Sequence, residues 1–168
     1  MTTWADIKPT EGDVANTFEY MFDIAPLPEG GLAAVQDWTN VPDITGLNPQ
    51  FAPKMKDITT YADKGSTSQK KVGNDFTLDF QILKVRDQTG KFQPEWKILK
   101  DASDASGSAN NIAFRYYDAL GAEDAYMGVA AVTRANRPST ANDDPGFDAF
   151  TLTGRGEVAP ISNPVDED

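Results

Sequence analysis

Carboxylates are the most abundant reactive side chains in this chain, which has 26 Asp and Glu among 168 residues. A glycosidase needs two of them facing each other across a cleft. Asp79 and Glu157 are candidates by residue type, but both fall on the solvent faces of predicted strands, so a solvated surface accounts for them better. Asp101, Asp104, Asp143, Asp144 and Asp148 lie in or beside loops and have the chemistry to hold calcium. The loop pattern D-x-[DN]-x-[DN]-G-x5-E is absent, so turn and loop roles are expected instead. Gly154–Arg155–Gly156 looks like a fragment of a phosphate cradle, yet it ends a strand and precedes no helix. A bulge or close backbone approach fits it better. Trp38, Trp96 and Tyr61 are the candidates for a sugar-stacking platform, and a carbohydrate-binding β-sandwich module is the alternative reading they support. Trp96, however, reads as helix core, which leaves few aromatics for a shared face.

The chain has no His and no Cys. Ser–His–Asp and Cys–His catalysis are therefore excluded, as are thiolate metal sites and the common zinc and non-haem iron sets. No cofactor and no metal is expected. The net charge of −11 makes the chain a poor nucleic-acid ligand, because counterion release requires Lys and Arg facing phosphates. Against that acidic background, Lys64–Gly65–Ser66–Thr67–Ser68–Gln69–Lys70–Lys71 stands out as basic. A contact with acidic residues of a second copy is a better use for it than DNA. No apolar run approaches the roughly 20 residues of a membrane helix, and no signal-peptide pattern opens the sequence. Membrane insertion is not expected.

The elements that would position these residues are mostly strands. Phe18, Tyr20, Phe22 and Ile24 alternate onto one face, and the Pro/Gly-rich 25–31 segment predicts a turn into a partner strand over 32–38. Val41–Leu47 reads as a short strand with an edge or bulge at Pro42 and Gly46, 48–53 as extended chain, and 55–61 as a further strand. A flexible segment over 63–74 then leads into the most regular strand, 75–85, with a bulge or strand end near Ile82–Leu83. Pro94 opens the one expected helix, with Glu95 in its first turn and Gly107 beyond its end. Strands near 112–117, 126–133 and 147–157 follow, with a long polar loop over 134–146 and an acidic tail expected to end in disorder. This order predicts a mainly β fold: an antiparallel β-sandwich or barrel with one flanking α-helix.

Three stretches together resemble the tail tube (major tail) proteins of long-tailed, siphovirus-like bacteriophages. They are Asp57–Gly65 with Lys70–Lys71–Val72–Gly73, the strand Phe76–Phe80 stepping on to Pro94–Lys97, and the closing Phe150–Gly156. The resemblance spans about residues 15–160. It implies a β-sandwich domain over 16–158, an N-terminal arm over 1–15, an acidic C-terminal arm over 159–168, and an inter-ring assembly loop over 60–74. It also implies stacked hexameric rings whose acidic lumen conducts genomic DNA without specific binding. Tyr61, Lys64, Gly65, Lys70 and Lys71 would serve inter-ring contacts, and Trp4, Ile7 and Ile161 would serve arm contacts. The implied partners are further copies of the chain, a tape measure protein, and terminator or distal tail proteins. The implied location is the virion tail, with the host cytoplasm during assembly, and the implied role is structural rather than enzymatic.

Overall fold

Strict alternation of Phe76, Leu78, Phe80 and Ile82 with Thr77, Asp79 and Gln81 needs an apolar layer on one side only, and all four apolar side chains are buried. The computed structural model describes residues 11–135 and 141–167. Its strands are β1 (Tyr20–Pro26), β2 (Thr39–Asn40), β3 (Ile44–Asp57), β4 (Gln69–Leu83), β5 (Asn111–Asp118), β6 (Ala125–Arg134), β7 (Phe147–Gly154) and β8 (Ala159–Pro160), and its helix is α1 (Pro94–Asp104). All pairings are antiparallel, in the order β2-β1-β5-β6-β7-β4-β3, with β8 added beside β6. The expected mainly β architecture with one helix is what the chain adopts.

The two ends of that order, β2 and β3, are neighbours in the chain, separated only by residues 41–43. Three residues span at most roughly 11 Å, so the sheet must curl until its ends meet. The linker itself closes the seam: Val41 N–H donates to Phe22 O on the β1 side, and Leu83 N–H of β4 donates to Asp43 O, both at 2.8 Å. Ring contacts across the interior confirm the closure. Phe22 of β1 meets Phe80 of β4 edge-on at 5.0 Å although three strands separate them in the sheet. Phe76 stacks on Phe114 of β5 at 5.2 Å.

α1 fits its sequence signals: Pro94 stands at its start and Glu95 in its first turn. Leu99 and Ala102 enter the core, and Trp96 and Ile98 pack against it. The helix stops at Asp104, and Gly107, at φ 68°, opens a separate short 3-10 turn.

Several boundaries differ from the sequence expectation. The segment 32–38 forms a 3-10 turn over Leu32–Ala34, and only Thr39–Asn40 pairs with β1. The expected short pieces between 41 and 61 are one strand, β3, because its pairing with β4 runs through Pro49 and Pro53. Proline is tolerated there because β3 pairs with β4 on one side only, leaving an edge where a missing N–H costs nothing. The irregularity expected at Gly46 is present: the register shifts between Thr45 and Asn48, and Gly46 has φ 67°. β4 begins at Gln69, six residues earlier than expected, and ends at Leu83 as anticipated. The C-terminal segment is docked rather than free over 159–167. β8 pairs with β6, and buried Asn163 donates to the Asp118 and Ala122 carbonyls at 2.9 and 2.7 Å.

Candidate assembly site

β3 and β4 outrun the barrel. Phe51 and Phe76 face each other at the mouth, with ring centroids 4.9 Å apart. Beyond them the residues on both strands are largely exposed, out to Asp57 paired with Gln69. The result is a two-stranded hairpin standing off the body. Isolated two-stranded ribbons are marginal in water, so this one needs local bonds or a partner surface.

Its tip supplies the local bonds. Ile58 N–H donates to Ser68 O at 3.0 Å, and Ser68 N–H donates to Thr59 Oγ1 at 2.9 Å. Thr60 N–H donates to Asp63 Oδ2 at 2.7 Å, completing a capping box around the 3-10 turn Tyr61–Asp63. Lys64 then adopts φ 49° and Gly65 φ 91°, so two successive left-handed residues reverse the chain. Thr59 also donates its N–H to Asp57 Oδ1 at 2.8 Å, and its hydrogen bonds hold the Asp57 carboxyl below the usual carboxylate range. The expected flexible loop is therefore an ordered turn of 58–68, and Lys70 and Lys71 belong to strand β4. A run of small polar residues reads as flexible in one dimension, but these side chains bond their own backbone.

The hairpin also carries apolar side chains that the rest of the chain covers only in part or not at all. Tyr61 is completely exposed, and Met55, Ile58 and Val72 are about half exposed. Val72 is the extra residue of a bulge, since Lys54 pairs with Gly73 and Met55 with Lys71. Lys54, Lys56, Lys64, Lys70 and Lys71 outnumber the acidic residues of this element, Asp57, Asp63 and Asp75, the last paired with Lys54 at 2.8 Å. The finger is thus basic and the remainder of the chain is more acidic than the whole.

Of the sequence-predicted site residues, Tyr61, Lys64 and Gly65 share the tip, and Lys70 and Lys71 lie on the adjoining β4 flank. Ile161 sits elsewhere, half-buried, donating its N–H to Ala125 O at 3.0 Å. Trp4 and Ile7 lie outside the described residues. Sequence reasoning missed Met55, Ile58 and Val72. The signal was their company, apolar side chains among lysines in a stretch with no buried counterpart.

The chemical alternatives do not assemble. Trp38 lies beneath the Arg115 guanidinium at 4.8 Å, Trp96 donates its indole N–H to buried Asp148 at 2.8 Å, and Tyr61 stands alone at the tip. These three rings form no shared platform. Asp79 accepts from Thr151 at 2.7 Å within the sheet. Asp101 and Asp104 pair with Lys97 and Lys100 along α1. Among the described residues no group of three or more carboxylates is placed to hold a metal ion. Asp148 is 1% exposed and pairs with Arg134 at 2.8 Å and Lys84 at 3.6 Å.

At the barrel mouth, beside the base of the hairpin, Tyr20 donates its hydroxyl to Asp124. That bond, first among the causes, pushes the Tyr20 pKa up to about 12. Burial likewise raises Tyr116 next to it. Both phenols are therefore held neutral, and Tyr20 acts as a donor.

The described residues thus form a curled antiparallel sheet with one helix and a long projecting hairpin. Among solved structures the chain is similar to the SPP1 tail tube, in a hybrid structure from solid-state NMR and cryo-EM. The match covers 91% of this chain and 83% of that one, with 12% identity and a TM-score of 0.61. At that identity the likeness is one of fold. No family model matches the chain, and no curated protein sequence does.

Proposed function

We propose that this chain is the structural subunit of a bacteriophage tail tube, building stacked hexameric rings around a bore that conducts DNA. The observation that carries this reading is the ordered hairpin with exposed Met55, Ile58, Tyr61 and Val72, standing on a body that shares its fold with the SPP1 tail tube. Exposed apolar groups on a rigid projection are a liability in a lone molecule and an asset in an assembly. The hairpin and its receptor are different surfaces, so the contact is head-to-tail and propagates rather than closing as a dimer. Charge segregation works in the same direction, because a basic finger meeting an acidic copy is steered to its seat. Carboxylates presented to a passing duplex repel its phosphates, so the nucleic acid slides without adhering.

In this reading Tyr61, Lys64, Gly65, Lys70 and Lys71 make inter-ring contacts, while Trp4, Ile7 and Ile161 serve the arms. Tape measure and terminator or distal tail proteins would complete the tail, and the work is structural rather than catalytic.

Electron microscopy of the purified chain tests this. Rings or tubes with a central hole are expected, and a dispersed monomer at high concentration would refute the proposal. Removing Lys64–Lys71 cuts into β4, so the cleaner variant replaces Ile58–Ser68 with Asn-Gly, a two-residue turn that keeps both strands paired. That variant should fold and fail to elongate.

A further inference from the structure

The closed mouth of the barrel holds a cavity of about 370 Å³ walled by the rings of Tyr20, Phe51, Tyr116 and Tyr126, with Asp124 at its edge. The rings come from β1, β3, β5 and β6 in turn. Tyr116 and Tyr126 are cross-strand partners in register, and their rings stack at 5.5 Å. Phe51 approaches Tyr126 at 5.1 Å with its plane turned by 50°, so these two walls meet at an angle. Tyr116 is buried, and Phe51 is braced by Phe76 at 4.9 Å. The walls are set by the sheet and stand ready before any ligand arrives.

The charge in the mouth has one sign. Asp124 is the one charged residue lining the cavity among the described residues, and no Lys or Arg lines it. Asp124 accepts from the Tyr20 hydroxyl, which is neutral, and forms no ion pair among the described residues. Buried Asp118 reinforces the field: after the Asp124 hydrogen bond and burial, the charges of Asp124 and Asp118 both help to raise the Tyr20 pKa.

We infer that this cavity binds a methylated ammonium group of the kind that choline carries. The inference stands independently of the tube reading, and the site is separate from the hairpin tip. Aromatic faces attract a cation through the negative face of the ring. They accept no ordinary hydrogen bonds, whereas a bare ammonium has three donors to satisfy and a metal ion needs several oxygen ligands. Among the described residues no group of three or more carboxylates is placed to hold such an ion. A methylated ammonium spreads its charge over methyl groups that rest against ring faces, and one carboxylate balances it. The volume is at the small end for a ligand pocket, which suits a compact group.

Choline is the probe, and the control is its uncharged isostere in which carbon replaces nitrogen. Titration of the purified chain is followed by calorimetry and by the proton signals of the ligand methyl groups. Choline should bind saturably, with those signals moved upfield by ring currents, and roughly tenfold or more tightly than the isostere. Tyr126→Leu removes one ring face and should weaken choline roughly 2- to 30-fold. Tyr126→Phe keeps the face and should bind like the parent. Asp124→Asn should weaken choline several-fold and leave the isostere unchanged. Circular dichroism verifies that each variant is folded. Cosedimentation with phosphatidylcholine vesicles separates the sources of the group: binding to vesicles assigns a lipid headgroup, choline binding without it assigns a free solute, and both uphold the inference. Equal affinity for choline and the isostere would overturn it. So would undiminished binding by Tyr126→Leu, or the absence of saturable choline binding.

Discussion

Replacing Asp148 with Ala should be among the most damaging single changes to this fold. The carboxylate is 1% exposed and holds three elements together. It accepts from the Trp96 indole of α1 and from Arg134 of β6, both at 2.8 Å, and faces Lys84 just beyond β4 at 3.6 Å. The side chains of Lys84 and Arg134 are 11% and 31% exposed, so both cations are partly desolvated. Deleting their counter-charge leaves one nearly buried ammonium and one buried N–H without this acceptor. Breaking a buried pair by removing one partner costs about 3–5 kcal/mol. The partial exposure of Arg134 places the estimate toward the lower end, at about 3 kcal/mol. For a chain of this length that corresponds to a fall in Tm of roughly 6–12 °C. Asp148→Asn keeps an acceptor for the indole and loses only the charge, so it should recover part of the loss. Thermal unfolding followed by circular dichroism measures both variants, and Trp96 fluorescence, read in a Trp4→Phe/Trp38→Phe background because the chain has three tryptophans, reports whether the helix has left the sheet. If Asp148→Ala unfolds within a degree or two of the parent, the cluster does not lock α1 to the barrel and the reasoning is wrong.

Three further outcomes follow from individual side chains. Tyr20 should remain un-ionised until about pH 12. Its raised pKa stabilises the fold fully below the ordinary tyrosine value near 10, and that contribution is lost as pH climbs toward 12. Ultraviolet titration of the parent against Tyr20→Phe checks this, and a phenol titrating near 10 would contradict it. At the other extreme, Asp57 has a lowered pKa, so its support of the 57–59 turn is complete above the ordinary carboxylate value and is lost as pH falls through its lower folded one. Hydrogen exchange at the Thr59 amide should quicken on acidification, and a flat profile would show that the bond does not form. Gly128→Ala should loosen the C-terminal segment, because a Cβ there would come within 2.8 Å of Val158 Cγ2 and 3.4 Å of the Phe114 ring. About 1–3 kcal/mol of destabilisation, with protease cleavage after residue 155, is expected, whereas unchanged protease resistance would mean that Val158 simply moves aside.

Side-chain alternation gave away the strands wherever one face met the core and the other met water. Phe22 and Ile24, Phe76 through Ile82, and Phe150 and Leu152 were legible for that reason. α1 was legible because Pro94, Glu95 and the apolar spacing of Trp96, Leu99 and Ala102 agree with one another. Absent His and Cys removed whole classes of chemistry before any fold was known, and the contrast between a lysine-rich stretch and a net charge of −11 marked the region where assembly is proposed.

The structure alone decided the rest, because those features depend on partners distant in sequence. β3 extends through two prolines only because β4 lies beside it on a single side, which no local pattern records. Order in the 58–68 turn comes from Thr59, Ser68 and Asp63 bonding across the tip, pairings that composition reads as flexibility. Curling of the sheet follows from three residues joining its first and last strands, so closure is a property of the topology. The aromatic cavity exists for the same reason: Tyr20, Phe51, Tyr116 and Tyr126 come from four strands, and only the closed barrel brings them together.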